Sequence, residues 1–368
     1  MEKTTKITTM ALFLGCALAL LVLHQPAQGC TGIQLRTADG SIVHGRTLEF
    51  GFFLKTDVMV VPSGYAFTGS APNGGKGKVY TAKYAVVGAD LDGNEMIADG
   101  LNEAGLAVGA FYFPDYAQYS EITEANRAQA VAPTEFPNYL LSQFATVDEV
   151  RHGLAKVVIS NTVFPAWGFV PPFHYVVYDK TGKSITIEPR GGKLVVYDNP
   201  LGVLTNSPSF DWHMTNLRNY INLSPRNVPP VEFEGIKLKQ FGQGSGMHGL
   251  PGDFTPPSRF VRAAVFSQTA IPSPNAEQGI FQTFHILNQF DIPVGVAREK
   301  DAKGQVHTDY TIAATARDPQ SLRYYWRTYD DQTIRMVDLK KVDLQDKKMK
   351  KLSTAGQQPV VDMTGALK

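Results

Sequence analysis

Cys30 is the residue whose type and position in this sequence most clearly suggest chemistry. It follows Ala27-Gln28-Gly29, so cleavage after Gly29 would make it the first residue of the chain. A free α-amino group has a pKa of about 7.7–8.0, so part of it is neutral at pH 7 and can act as a base. A thiol is a strong nucleophile once it is ionised. Cys30 would then carry both a nucleophile and its base, which suits acyl transfer from an amide through a thioester.

The segment before Cys30 has the layout of a secretory signal peptide. Two lysines precede an apolar run over Met10–Leu23, and Ala27 and Gly29 are small residues at the −3 and −1 positions. The apolar run is shorter than the roughly 20 residues that a membrane-spanning helix requires. We therefore predict that residues 1–29 are cleaved, and that the protein is secreted or periplasmic without stable membrane insertion.

A lipoprotein signal is the alternative, because processed lipoproteins also begin with cysteine. That pattern prefers Leu at −3 and a small residue at −2, whereas this chain has Ala27 and Gln28 there. Lipidation would block both the amine and the sulfur of Cys30. The competing function is therefore a binding protein, lipid-anchored and without catalysis.

Composition narrows the function classes further. Removal of residues 1–29 leaves equal numbers of basic and acidic residues and discards Cys16, so charge gives no reason to expect a nucleic-acid partner. A lone cysteine in an oxidising compartment indicates a working thiol. The histidines are scattered, so we predict no metal site. Gly244–Gly249 matches G-x-G-x-x-G but precedes Leu250-Pro251 and not a helix, so we do not interpret it as a cofactor site.

Apolar and alternating segments predict the elements that position Cys30. Thr31–Arg36 and Ser41–Leu48 are typical strands joined by a hairpin turn at Asp39-Gly40. The other predicted strands are Tyr84–Ala89, a pair within Ile97–Phe113, three within Phe173–Tyr197, Gly202–Thr205, Thr308–Ala314, Leu322–Thr328 and Thr333–Val337. The predicted helices lie within Pro133–Ile159, where Thr146 begins a capping box, and over Ser258–Ala270 and Asn275–Phe290.

The strands form two blocks without regular strand–helix alternation, which argues against a doubly wound parallel sheet. We predict an α+β fold with two antiparallel sheets between helix layers. No clean linker divides residues 30–368, which we therefore interpret as a single domain. The Gly-rich segment Ser70–Lys78 is expected to be a solvated loop, and the tail after Lys340 is expected to pack little.

Five separated motifs resemble the choloylglycine hydrolase family, which includes bile salt hydrolases and penicillin V acylases. In chain order they are Cys30-Thr31-Gly32, Gly45–Glu49, Asp99–Leu106, Gly202–Trp212 and Phe241–Phe260. The resemblance covers nearly all of residues 30–368. It implies an N-terminal-nucleophile (Ntn) hydrolase with an αββα sandwich, which cleaves linear amide C–N bonds without a cofactor and is often a homotetramer.

The resemblance also implies roles for single residues. Cys30 looks like the nucleophile, and Arg46 matches the arginine beside the sulfur, which would favour the thiolate. Asn206 matches the side-chain donor to the oxyanion, and Arg259 matches the second arginine of the site. Glu49 stands where the family usually has the Asp that holds and orients the α-amine, so its longer side chain puts that geometry in question.

Tyr112 stands where many bile salt hydrolases have Asn, and it looks more like the penicillin V acylases. Its backbone N–H would serve the oxyanion and its side chain would shape the acyl pocket. The aromatic residues expected to flank that pocket are Phe50, Phe52, Phe53, Phe111, Tyr112 and Phe113. We therefore expect a small amide substrate with a bulky apolar acyl group. Penicillin V, conjugated bile salts and N-acyl homoserine lactones remain candidates.

Overall fold

The computed structural model describes residues 29–51, 54–90, 92–300 and 304–367. Except for Gly29, the predicted signal peptide lies outside the described residues. The strands are β1 Cys30–Arg36, β2 Ile42–Phe50, β3 Val58–Val61, β4 Ala66–Ala71, β5 Gly75–Thr81, β6 Val86–Asp90, β7 Ile97–Asn102, β8 Ala107–Tyr112, β9 Ala130–Val131, β10 Val158–Ile159, β11 Phe173–Tyr178, β12 Ser184–Arg190, β13 Lys193–Asp198, β14 Val231–Phe233, β15 Ile236–Leu238, β16 Ala297–Lys300, β17 Val306–Asp318, β18 Arg323–Thr328, β19 Arg335–Asp338 and β20 Lys350–Leu352. The α-helices are α1 Phe136–Gln143, α2 Val147–Gly153, α3 Phe210–Asn216, α4 Pro256–Thr269 and α5 Ala276–Leu287.

Two antiparallel sheets form the centre of the molecule. Sheet A has the order β1-β2-β17-β18-β19, with β16 also paired to β17, and sheet B has the order β13-β12-β11-β8-β7-β6-β3-β20. Helices α4 and α5 pack on sheet A, α1 packs on sheet B, and β1 contacts β8 between the sheets. The layers therefore run helix, sheet, sheet, helix, and the predicted α+β sandwich is confirmed.

Buried apolar side chains join these layers. One cluster includes Ile33 on β1, Phe111 on β8, Phe260 on α4 and Phe284 on α5. Burial of each such side chain stabilises the fold by roughly 1.5–3 kcal/mol. Gly32 permits the close approach of the sheets, because a Cβ there would lie 2.7 Å from Cζ of Phe111. The cluster therefore fixes the start of β1 against sheet B.

Two predictions of local structure are wrong. Gly202–Thr205 is not a strand, and it contributes only one bridge, between Leu204 and Gly32. Ser70–Lys78 belongs largely to the β4–β5 hairpin, where a Cβ on Gly77 would lie 2.2 Å from the carbonyl oxygen of Ala130. The glycine therefore serves close packing and not a flexible loop. The tail after Lys340 adds the short strand β20 to sheet B beside β3, but none of its described residues is buried, as expected of a tail that packs little.

No helix in the described ranges combines the length and the apolar character needed to cross a bilayer.

Candidate active site

Cys30 begins β1 and lies between the two sheets. It pairs with Leu48 on β2, and it is 5% exposed. On the other side of β1, the N–H of Gly32 donates to the carbonyl of Leu204 at 2.7 Å, and the N–H of Leu204 donates to the carbonyl of Gly32 at 3.2 Å. This bridge fixes the loop that contains Asn206 beside Cys30.

The guanidinium of Arg46 on β2 contacts the sulfur of Cys30. Its Nη2 donates to Sγ at 2.7 Å and its Nη1 donates to the carbonyl of Ala110 at 2.6 Å. The group also lies 4.2 Å from the ring centre of Phe111. Because Arg46 is only 1% exposed, its charge is poorly screened by water and would stabilise a thiolate.

The carboxamide of Asn206 connects Cys30 to sheet B. Its Oδ1 accepts from the backbone N–H of Cys30 at 2.9 Å, and its Nδ2 donates to the carbonyl of Tyr112 at 2.8 Å. An amide nitrogen has two hydrogens, so one of them is available to a further acceptor. The contact through Tyr112 is made by its backbone carbonyl, while its side chain lines the neighbouring pocket.

Arg259 reaches the same point from the first turn of α4. Its Nη1 donates to the carbonyl of Cys30 at 2.6 Å and to Oγ1 of Thr31 at 3.0 Å. Its Nη2 donates to Oδ1 of Asn206 at 2.6 Å, and its Nε donates to the carbonyl of Phe254 at 2.8 Å. The side chain therefore locks the start of β1 to Asn206.

Glu49 lies on β2 beside the peptide that precedes Cys30. Its backbone N–H donates to the carbonyl of Gly29 at 2.9 Å, and its Oε1 accepts from Oγ1 of Thr311 at 3.3 Å. Burial raises the pKa of the Glu49 carboxyl, and the charge of Arg259 opposes that shift. The acidic group therefore lies close enough to Cys30 for its charge to act on that residue.

The thiol of Cys30 is not ionised by its surroundings alone. Burial raises its pKa, and this effect is larger than the opposing effect of Arg46. Arg46 thus lowers the thiol pKa as expected, but the pKa that results from all the effects together is raised. A base must remove the thiol proton as the sulfur attacks.

An apolar pocket opens beside the sulfur. Its polar lining comes from Cys30, Arg46, Glu49 and Thr134. The rest of the lining consists of Leu48, Phe50, Leu54, Ile97, Ala98, Ala110, Tyr112, Trp167 and Phe173. Such a surface suits an apolar group attached to a carbonyl that reaches the sulfur.

The prediction of the aromatic lining is right for Phe50 and Tyr112 and wrong for two others. Phe111 lies under the guanidinium of Arg46, and Phe113 stacks on His174 at 4.2 Å between ring centres. The reason is strand alternation: successive side chains of a strand point to opposite faces. Phe52 and Phe53 lie outside the described residues.

Sequence reasoning missed Trp167 and Phe173 in the lining. Phe173 is the cross-strand neighbour of Tyr112 in the pairing of β8 with β11, and the first of the three strands predicted within Phe173–Tyr197 was the only signal for it. Trp167 lies in a loop, where no periodicity could have indicated its position.

Two buried histidines that were also missed hold the loop around Asn206. Nε2 of His174 lies 3.1 Å from the carbonyl of Thr205, and Nε2 of His213 lies 2.9 Å from the carbonyl of Asn206. Burial lowers the pKa of His213 to about 4, so at neutral pH its ring is uncharged and donates this hydrogen bond. Both carbonyls that flank the Asn206 side chain are thus fixed.

Two sequence features that bear on metal and dinucleotide binding can be located in the described part of the chain. No group of three or more His, Cys, Asp or Glu side chains there is arranged to hold a metal ion. The G-x-G-x-x-G match at Gly244–Gly249 lies in a turn around the short 3₁₀ helix Ser245–Met247, apart from any strand-to-helix junction. The structure brings together Cys30, Arg46, Glu49, Tyr112, Asn206 and Arg259, the six predicted site residues.

Comparison with known proteins identifies the family. Residues 30–354 match the model of the linear amide C–N hydrolases, choloylglycine hydrolase family. A bile salt hydrolase/transferase of Clostridium perfringens is 34% identical over 325 residues, which cover 87% of this chain and 95% of that protein. A penicillin V acylase of Pectobacterium atrosepticum is 26% identical, over 82% of this chain and 78% of that one.

Among solved structures, a mutant of the conjugated bile acid hydrolase from Clostridium perfringens matches with a TM-score of 0.79 and 31% identity. That match covers 91% of this chain and all of the other. The chain belongs to the choloylglycine hydrolase family and is a linear amide C–N hydrolase of the bile salt hydrolase and penicillin V acylase type.

Proposed function

We propose that the processed protein hydrolyses a linear amide with an apolar acyl group, using Cys30 as an N-terminal nucleophile. One observation carries this proposal. The sulfur of Cys30 accepts a hydrogen bond from Arg46 at 2.7 Å and lines the apolar pocket. An acyl group in that pocket would bring its carbonyl carbon to the sulfur.

In the proposed reaction, the neutral α-amine of Cys30 takes the thiol proton while Sγ attacks the amide carbonyl. The oxyanion that forms would accept from the free hydrogen of Nδ2 of Asn206, with the charge of Arg46 nearby. The resulting α-ammonium returns its proton to the leaving nitrogen, so the C–N bond breaks and a thioester remains. Water then attacks the thioester with the α-amine as base, which releases a carboxylic acid and the thiol.

This mechanism requires cleavage after Gly29, so we also propose that residues 1–29 are a signal peptide and that the protein is secreted or periplasmic. The alternative is a lipid-anchored protein, in which the amine and the sulfur are both blocked. Mass spectrometry of the purified N-terminus separates the two, because only the first leaves Cys30 unmodified.

The substrate class follows from the pocket and from the relatives. Proteins similar to this chain are named for bile salts and for penicillin V, and both of these amides carry a bulky apolar acyl group. The rings of Phe50, Tyr112, Trp167 and Phe173 line the pocket and pack against one another, which suits such a group. N-acyl homoserine lactones are an alternative of the same reaction type.

A substrate panel tests the proposal. Release of amine is measured with penicillin V, with glycine- and taurine-conjugated bile salts, and with acyl homoserine lactones of several chain lengths. We expect turnover of at least one of these amides by the parent protein and none by a folded Cys30→Ala variant. Full activity of Cys30→Ala would exclude the mechanism.

A further inference from the structure

Asp309 is an acidic residue beside the predicted cleavage point. It lies on β17, two residues before Thr311, which donates to Glu49. Its carboxylate accepts a hydrogen bond from the backbone N–H of Gly29. A Cβ built on Gly29 would lie 3.5 Å from Oδ2 of Asp309 and 3.5 Å from Nη2 of Arg259. Asp309 and Glu49 therefore flank the same peptide.

Two carboxylate oxygens at this place have unused hydrogen-bonding capacity. Within the described ranges, nothing hydrogen-bonds to Oδ1 of Asp309 or to Oε2 of Glu49, and both atoms are enclosed. Glu49 itself is fully buried. A buried carboxylate oxygen without a donor is costly, so this arrangement indicates a missing cationic donor.

The charges around Asp309 do not supply that donor. The charged groups that face it are Glu49 on β2, Arg259 on α4 and Glu299 on β16. Burial and the charge of Glu49 raise the pKa of Asp309 to about 8, although Arg259 opposes the shift. Arg259 already donates to Cys30, Thr31, Asn206 and Phe254. Among the described residues, Asp309 and Glu49 therefore share one guanidinium whose donors are already used, which leaves room for a second cation beside them.

Cleavage after Gly29 would create a cation at this place. The N–H of Gly29 departs, and the nitrogen of Cys30, which already donates to Oδ1 of Asn206 at 2.9 Å, becomes an ammonium. An ammonium has three N–H donors. Three acceptors are available for these donors, one each from Asn206, Glu49 and Asp309.

We propose that Asp309 is a positioning residue that, together with Glu49, holds the α-amino group of Cys30 in the processed protein. This inference rests on the proposed function. The carboxylate of Asp309 holds the amine on the side where Glu49 and Arg259 lie. When the ammonium loses a proton, the lone pair of the amine can then point to the thiol. The carboxylate also stabilises the charged form, which raises the pH at which the amine becomes a base.

The experiment compares Asp309→Asn with Asp330→Asn, which removes the same charge from an exposed position after β18. Mass spectrometry first establishes that each variant begins with Cys30. The pH dependence of kcat/KM is then measured with the best amide of the panel, because its acidic limb reports the base of the free enzyme. Loss of a nearby carboxylate favours the uncharged amine, so the acidic limb of Asp309→Asn should move to lower pH by about one unit.

Alkylation of Cys30 by iodoacetamide gives a second reading. Removal of a negative charge near the sulfur also lowers the thiol pKa, so the alkylation profile of Asp309→Asn should move in the same direction. Asp309→Glu keeps the charge, so its acidic limb should lie within about 0.3 of a pH unit of the parent limb. One such unit corresponds to 1.36 kcal/mol. If Asp309→Asn does not fold, Asp309→Ser is measured in its place, and the same shift of the acidic limb to lower pH is expected.

An unmoved limb in a processed Asp309→Asn protein would overturn this inference. Retention of Gly29 in that variant alone would also contradict it, because the role of Asp309 would then lie in the precursor. Activity that persists in Cys30→Ala refutes the proposed function itself. The two failures are therefore distinguishable.

Discussion

Replacement of Asn206 by alanine tests the proposed oxyanion site. Asn199 and Asn206 precede and follow the same short segment, both are 1% exposed, and both form hydrogen bonds through the oxygen and the nitrogen of the carboxamide. In Asn199, Nδ2 donates to the carbonyl of Val203 at 2.9 Å and Oδ1 accepts from the N–H of Val203 at 3.3 Å. Asn199→Ala is thus a matched control, because the side chain of Asn199 makes no hydrogen bond to Cys30 or Arg259 in the described structure.

The expected magnitudes differ between stability and catalysis. Each variant leaves buried backbone groups without a partner, so each should lose about 1–3 kcal/mol of unfolding free energy. Only Asn206→Ala removes a donor to the developing oxyanion. The loss of one such donor lowers kcat by about 10²–10³, which corresponds to about 2.7–4 kcal/mol.

The assay measures kcat per folded protein with penicillin V or a conjugated bile salt, and unfolding in urea gives the stability of each variant. We expect both variants to be destabilised and only Asn206→Ala to lose kcat. If Asn206→Ala kept more than a third of the parent kcat, or if Asn199→Ala lost as much, the assignment of Asn206 would be refuted.

Two further predictions concern Arg46 and His213. Arg46→Met removes a charge-assisted hydrogen bond to Sγ of Cys30, so kcat/KM should fall about 100-fold and iodoacetamide alkylation should shift to higher pH; an unchanged alkylation profile would contradict this role. The pKa of His213 is lowered to about 4 in the folded protein, so between pH 6.5 and 4 the unfolded chain binds a proton that the folded chain does not. This histidine should therefore reduce the unfolding free energy by about 2 kcal/mol between pH 7 and 4.5; urea titrations of a His213→Gln variant should lack that part of the decrease, and an identical decrease would show that His213 does not cause it.

The part of the site that depends on local pairing could be predicted from the sequence. The turn at Asp39-Gly40 makes β1 and β2 a hairpin, and the register that follows places Arg46 opposite Gly32, two residues from Cys30. A short hairpin leaves few alternative registers. The positions of Arg46 and Glu49 beside Cys30 were expected from the family resemblance, and the hairpin gives the local physical reason for them.

The non-local part could be predicted only through the family resemblance. Asn206 and Arg259 come from a loop and a helix that are 176 and 229 residues away from Cys30, and no periodicity specifies such contacts. By contrast, the residues of β8 that face the pocket could be predicted from the sequence, because the alternation of side chains along a strand is regular. Ala110 and Tyr112 face the pocket while Phe111 faces the other side, as the period of a strand requires.

The sum of the electrostatic effects on Cys30 also could not be predicted. A cation beside a thiol suggests a lowered pKa, yet the thiol is enclosed, and the cost of burying its charge is larger than the benefit from Arg46. Burial depends on the packing of both sheets, which emerges only in three dimensions. Because burial outweighs Arg46, a base must remove the thiol proton, and the α-amine of Cys30 is the proposed base.

The central claim is that a thioester forms on an N-terminal Cys30. The most direct measurement is mass spectrometry of the N-terminal peptide after a rapid acid quench during turnover of penicillin V. We predict a peptide that begins with Cys30 and carries a phenoxyacetyl group that hydroxylamine removes. A peptide that begins at another residue, a lipid on Cys30, or steady turnover with the acyl group on a different residue would contradict the claim.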